Sequence, residues 1–261
     1  MKLWFNFYFL LACVLTSCCL SAIDPKKTYA VETYIGPEIY YVSREKECGG
    51  KQTGTLYGVR LGFDHIRRYK FYWGVDALWA TGPLEGSANG ERIKSMFTDI
   101  NLEARLGYTF QSKYWCKASF TPYTGLGYFW ENNFFEHPSP LPIHFKNRFS
   151  YVPLGFLSQI FIYPNWSLGL NFKLRFLIDS SVEASNDPGH DTTTQNYEEK
   201  LQYRVELPIT YFSCWKKESL AVSLVPFYEY RPYGYRANYP FDFLETNLNF
   251  YGATIKLLYL F

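Results

Sequence analysis

The sequence predicts an all-β chain: an antiparallel up-and-down transmembrane β-barrel of about ten strands. Three observations carry that expectation. Apolar and polar residues alternate with period two through most of the chain, as strands require when successive side chains point to opposite faces. Runs such as Thr98–Phe110 and Trp166–Asp179 outlast the roughly 5–6 residues of an ordinary strand and reach the ~9–11 of a tilted membrane strand. Short connections also alternate with long ones along the chain, as they do in barrels with one face turned outward.

Composition narrows the classes. Aromatic residues make up 21% of the 261 residues and charged ones 19%, against roughly 25% charged in ordinary soluble domains. A mean hydropathy of −0.20 excludes a polytopic helical membrane protein, and the aromatic load excludes disorder. A net charge of +2 supplies no basic field. No zinc-finger or Walker pattern occurs, so no nucleic-acid partner is expected. Neither a metal nor a cofactor is expected.

The first segment reads as targeting. Met1-Lys2, the apolar run Leu3–Leu15 and the small residues of Thr16–Ala22 form the layout of a secretory signal peptide. A membrane anchor needs about 20 apolar residues, and Asn6, Thr16 and Ser17 interrupt this run. The expected domains are thus a signal at 1–22 and a barrel at 23–261. Leu15-Thr16-Ser17-Cys18 resembles a lipoprotein box, which implies acylation of Cys18; cleavage near Ser21 or Ala22 is the alternative.

The strands follow in order. Tyr29–Ser43 is the first. Tyr57, Val59, Leu61 and Phe63 then alternate with Gly58, Arg60, Gly62 and Asp64, and Phe71, Trp73, Val75, Ala77 and Trp79 face away from Gly74 and Asp76. In Thr98–Phe110, Ile100, Leu102, Ala104 and Leu106 oppose Asp99, Asn101, Glu103 and Arg105. Less regular strands occupy Cys116–Glu131 and Arg148–Ile162. Trp166, Leu168, Leu170, Phe172, Leu174, Phe176 and Ile178 oppose a parity holding Lys173, Arg175 and Asp179; Leu201, Tyr203, Val205, Leu207 and Ile209 oppose Lys200, Gln202, Arg204 and Glu206. Leu220–Arg231 and Leu244–Phe261 complete ten, with eight or twelve still open. Long loops are expected at Arg44–Thr53, Gly82–Lys94, Asn132–Lys146, Glu183–Tyr197 and Tyr233–Phe243.

Alternation alone does not say which face is wet, since a lipocalin or β-sandwich would bury the apolar side. Strand length, loop asymmetry, and Tyr or Trp near strand ends (Trp79, Tyr108, Trp130, Trp166, Tyr211) favour lipid outside. The lumen then receives Arg60, Asp76, Asp99, Glu103, Arg105, Lys173, Arg175, Lys200, Arg204, Glu206, Glu229 and Lys256. Their mixed signs point to a paired plug rather than a pore, because open porins need about 16–18 strands and unpaired buried charge is costly.

Ala253, Ile255, Leu257, Tyr259 and Phe261 share one parity, and the sequence stops at Phe261. This resembles the C-terminal β-signal of bacterial outer-membrane proteins. The resemblance implies outer-membrane localisation and recognition of Ile255, Leu257, Tyr259 and Phe261 by the barrel-assembly machinery. Thr121–Tyr128 and Tyr151–Gly155 also resemble segments of small outer-membrane barrels, and the aromatic, cysteine-bearing export pattern is similar to barrels of chlamydia-like bacteria. The implied partners are outer-membrane lipid and an extracellular or host ligand met by the outer loops. A structural or surface-interaction role without catalysis is expected.

The alternatives are a narrow solute channel and an outer-membrane hydrolase. Omptin proteases are ten-stranded barrels with Asp and Asp–His pairs on opposite rims. His190 and Asp191 would supply one pair, but Gly82–Lys94 offers Glu85 and Glu91 in place of the other. His137-Pro138-Ser139 resembles the His-x-Ser of lipid A deacylases, in a Pro-rich loop ill suited to fix a nucleophile. Beyond the signal, Cys48, Cys116 and Cys214 lack metal-ligand spacing and are expected as free or intermolecularly bonded thiols.

Overall fold

A computed structural model describes residues 31–47, 49–67, 69–111, 118–140, 142–198, 200–215, 218–235 and 244–261. The signal segment with Cys18, and Cys48 and Cys116, lie outside them. Ten antiparallel strands close on themselves, with no helix among the described residues. They are β1 (Glu32–Lys46), β2 (Gly50–His65), β3 (Phe71–Ala88), β4 (Glu91–Tyr108, continued by Phe110–Gln111) and β5 (Ser119–Glu136). Then come β6 (His144–Tyr163), β7 (Trp166–Gly169 and Asn171–Ser185), β8 (Thr193–Gln195, Gln202–Glu206 and Ile209–Trp215), β9 (Glu218–Tyr233) and β10 (Thr246–Leu260). β8 breaks at Pro208, which has no N–H to donate. The Pro208 carbonyl still accepts from Gly169 N at 2.8 Å, so the ladder holds across the break.

Register fixes the shape. From Glu229 the pairing runs through Arg204, Lys173, Gly155, Tyr123 and Gly107 to Tyr72 on β3. The other way it runs through Phe250, Val42 and Gly54 to Leu84, twelve residues along the same strand. That stagger tilts the strands by roughly 35–45°. The seam is closed at its foot by reciprocal Val31–Phe261 backbone bonds of 3.1 Å.

The apolar parity faces outward. Ile35, Leu61, Val75, Leu102, Leu126, Leu154 and Ile255 are exposed on the outer wall. Exposed rings frame them: Trp73, Tyr108, Tyr163, Trp166 and Tyr259 near the termini, and Tyr41, Trp79, Trp130 and Tyr251 toward the opposite rim. Tyr251 to Tyr259 on β10 rises roughly 20 Å after tilt, near the height of a membrane barrel's apolar band.

Past the upper ring the strands continue. Outward positions turn polar there (Ser43, Glu45, Lys51, Thr53, Glu85, Lys94), and two expected loops are hairpins instead. Within Arg44–Thr53 the ladder runs to Lys46–Gly50, and within Gly82–Lys94 it runs to Ala88–Glu91. Asn89 and Gly90 both take positive φ, 51° and 82°, the two-residue turn that Asn-Gly favours. A loss of apolar character has the look of a loop; it marks the upper edge of the apolar belt. Two further outer connections are shorter than expected: β5–β6 spans 137–143 and β7–β8 spans 186–192.

One face assignment is corrected. The β6–β7 register shifts between Ser150–Asp179 and Tyr151–Leu177, so Ile178 and Asp179 both face outward. This bulge flips the parity: Asp179 leaves the lumen side, and Ser180 and Val182 enter it.

Candidate functional site

The lumen behind the apolar belt is filled by one continuous network of ion pairs. Lys173 and Arg105 both hold Glu103 at 2.8 Å, and Arg105 reaches Asp76 at 3.6 Å. Asp76 meets Arg60 at 2.8 Å, which grips Glu38 at 2.5 Å, and Glu38 lies 3.6 Å from Arg204. Arg204 bonds Glu206 at 2.7 Å and Glu229 at 2.9 Å. Glu229 also receives Arg175 and Arg231. Arg231 then crosses the barrel to Asp99 at 3.0 Å and Glu131 at 2.8 Å. β6 and β10 join through hydroxyls: Tyr151 donates to Glu103 at 2.7 Å, and Thr254 to Glu38 at 2.7 Å. Every strand therefore contributes to the network.

Two glycines make room for it. A Cβ on Gly62 would lie 2.3 Å from the Tyr34 ring, and one on Gly127 would lie 2.1 Å from the Tyr151 ring. Each ring crosses its glycine to reach a carboxylate, Asp76 for Tyr34 at 2.6 Å and Glu103 for Tyr151. On the rim side of the network, buried rings stack across the bore. Phe149 lies 4.5 Å from Phe129 and 4.8 Å from Tyr233, and Tyr197 lies 5.6 Å from Tyr233. Toward the termini a polar cavity of about 130 Å³ remains, bordered by Tyr34, Asp64, Glu206 and Lys256.

Not every residue expected in the lumen joins the network. Lys200 pairs with Glu245 at 2.6 Å, both partly exposed, because parity changes between Tyr197 and Gln202. Lys256 lies 4.1 Å over the Tyr34 ring. Glu38, Glu131 and Arg231 are central to the network but escape the sequence reading. On β1, rings occupy both parities (Tyr40 inward, Tyr41 outward), so no face could be assigned to Glu38. Glu131 and Arg231 end their expected strands, where alternation has too few neighbours to show.

The residues of the catalytic alternatives take these positions. His190 Nδ1 lies 3.4 Å from Asp187, three residues back, and the Asp191 carbonyl accepts from Thr193 Oγ1. Ser139 Oγ donates to the Lys94 carbonyl and accepts from the Lys94 N–H, at 2.7 and 2.8 Å. Its hydroxyl thus pins the β5–β6 connection to the β4 edge. His144 stands edge-on to Phe134, and burial with Lys146 nearby lowers its pKa. His65 stacks on Trp73 at 5.8 Å. No metal-holding cluster occurs among the described residues.

No family model matches the sequence, and no curated protein matches it. Solved structures do. The outer membrane protease OmpT of Escherichia coli is 10% identical over 88% of this chain and 96% of its own, with a TM-score of 0.52. The transport unit of the E. coli autotransporter AIDA-I is 9% identical over 97% of each chain at 0.46. The outer membrane protein OprG of Pseudomonas aeruginosa is 10% identical over 89% and 97% at 0.37. The last two are looser likenesses on which nothing rests. The class is a closed ten-strand antiparallel barrel with the fold of outer-membrane barrels.

Proposed function

We propose that this protein resides in a bacterial outer membrane as a sealed barrel and acts through its outer rim, as a structural or surface-interaction element without catalysis. The sealing carries the reading: a continuous buried ion network, with an aromatic stack beside it, occupies the bore. The strands that rise past the lipid belt support it too, since they hold a rigid platform of hairpins away from the membrane. The C-terminal strand, with Ile255, Leu257, Tyr259 and Phe261 outward, is the part we assign to the assembly machinery. Two measurements test the reading. A boiled-against-unboiled gel of the outer-membrane fraction should show a mobility shift, and planar bilayers should show no steady conductance step. A soluble product, or a reproducible step, overturns it. A second reading, a rim hydrolase, draws on the His190–Asp187 contact in a barrel similar to a protease. Peptidase activity lost in His190→Ala would establish it.

A further inference from the structure

Where the lumen opens at the rim opposite the termini, a second cavity of about 240 Å³ lies across the mouth. Its polar side is β1, which sends Arg44 and Lys46 inward two residues apart, with Gln52 of β2 beside them. Its apolar side is Phe135, Ile143 and Phe145, brought over the mouth by the β5–β6 connection that Ser139 pins.

The cations here differ from those of the network below. Arg60, Arg105, Lys173, Arg175, Arg204 and Arg231 each touch a carboxylate. Arg44 is 6% exposed and bonds the Gln52 side-chain oxygen at 3.3 Å, with no carboxylate in ion-pair range among the described residues. Lys46 likewise has none in range, and its ammonium stands 5.4 Å from the centre of the Phe145 ring. Two like charges side by side in a partly desolvated pocket repel; Glu131 acts on Arg44 only from beyond ion-pair range, which leaves room for an anion held directly between the two cations. A guanidinium fork beside an ammonium fits a carboxylate, and the facing aromatic wall fits a hydrocarbon body.

We propose that this mouth pocket binds a small organic carboxylate with an aromatic or short acyl body, the carboxylate between Arg44 and Lys46 and the body against Phe135, Ile143 and Phe145. The cavity holds a single ring or a short chain, below the roughly 300 Å³ where drug-sized sites begin. The assignment needs only the rim, so it stands or falls apart from the question of whether the bore conducts.

The test uses the full-length protein in detergent micelles and 4-(trifluoromethyl)benzoate, followed by fluorine NMR. Binding should weaken about tenfold in Lys46→Met and in Arg44→Gln, and about tenfold for the neutral 4-(trifluoromethyl)benzamide. Equal affinity in the variants, equal affinity for the amide, full displacement by equimolar inorganic phosphate, or no binding at millimolar probe overturns the proposal. Because Arg44→Gln also removes a contact to Gln52, a second readout uses the unmutated chain. The benzoate should slow acetylation of Lys46 several-fold relative to Lys51, located by mass spectrometry, and the absence of protection is a negative result.

Discussion

Arg231 is the residue on which the closed bore most depends, and Arg231→Met measures how much. The side chain is 1% exposed and binds Asp99, Glu131 and Glu229, between the Phe129 and Phe250 rings at 5.0 and 4.4 Å. Methionine fills most of the same volume, so the loss is electrostatic rather than a cavity. Glu229 keeps Arg175 and Arg204. Among the described residues, the direct donors left to Asp99 and Glu131 are hydroxyls and an amide, namely Tyr40 at 3.1 Å, Tyr233 at 2.6 Å and Asn147 at 3.4 Å. Removing one partner of a buried pair costs about 3–5 kcal/mol, and the remaining donors hold this case near the lower figure. At a slope of roughly 2 kcal/mol/M in urea, the unfolding midpoint in phospholipid vesicles, read by tryptophan fluorescence, should fall by about 1.5 M. Arg231→Met combined with Asp99→Asn and Glu131→Gln leaves no orphan charge and should recover at least half of the loss. A shift below about 0.3 M in the single variant would mean that water already solvates these carboxylates, and the sealed-bore reasoning would fail with it.

Gly127→Val should drive the Tyr151 ring from its place and break its bonds to Glu103 and Asn101, costing about 2–4 kcal/mol in the same unfolding assay; an unchanged midpoint would show that the ring has elsewhere to go. Gly90→Ala meets no atom within 4 Å, so its cost is backbone conformation alone, about 1 kcal/mol, read as a small midpoint shift. Phe261→Ser should lower the fraction of chain that shows the folded gel mobility in the outer membrane, while refolding from denaturant in micelles stays within about twofold of the original. Lys46 has its pKa lowered to about 7 by burial and by the neighbouring charge of Arg44. Its acetylation rate should therefore rise with a midpoint near pH 7, whereas a midpoint near 10 would place the amine in open water.

The fold was legible because the wall obeys one rule between its two rings of aromatics. Each strand between the two rings of aromatics puts its apolar parity on the outer wall and its charges into the bore, as Thr98–Phe110 shows. Reading failed where that rule changes its terms. Beyond the upper ring the outward parity becomes Ser, Glu, Lys and Thr, so strand and loop look alike, and Asn89-Gly90 was the signal that should have decided it. At Ile178-Asp179 the bulge shifts parity without any mark in composition. Glu38, Glu131 and Arg231 apart, the network's charges were individually legible, but their order was not, since Arg231 meets Asp99 across the diameter and no sequence pattern encodes a diameter. The mouth pocket was hidden for the same reason: Arg44 and Lys46 belong to β1, and the rings they face belong to the far wall.

The cross-barrel bonds of Arg231 bear on how such a barrel comes into being. They join β9 to β4 and β5, partners 132 and 100 residues away along the chain. Until β9 is in place, Asp99 and Glu131 lack their cation, and the inner surface of a half-formed sheet is a row of hydrated charges. A partly assembled wall is thus greasy on one side and wet on the other, and the wet side cannot shed its water piecemeal. Drying of the bore and zipping of the seam become a single late event, which makes the open sheet an intermediate with no stable resting place short of closure.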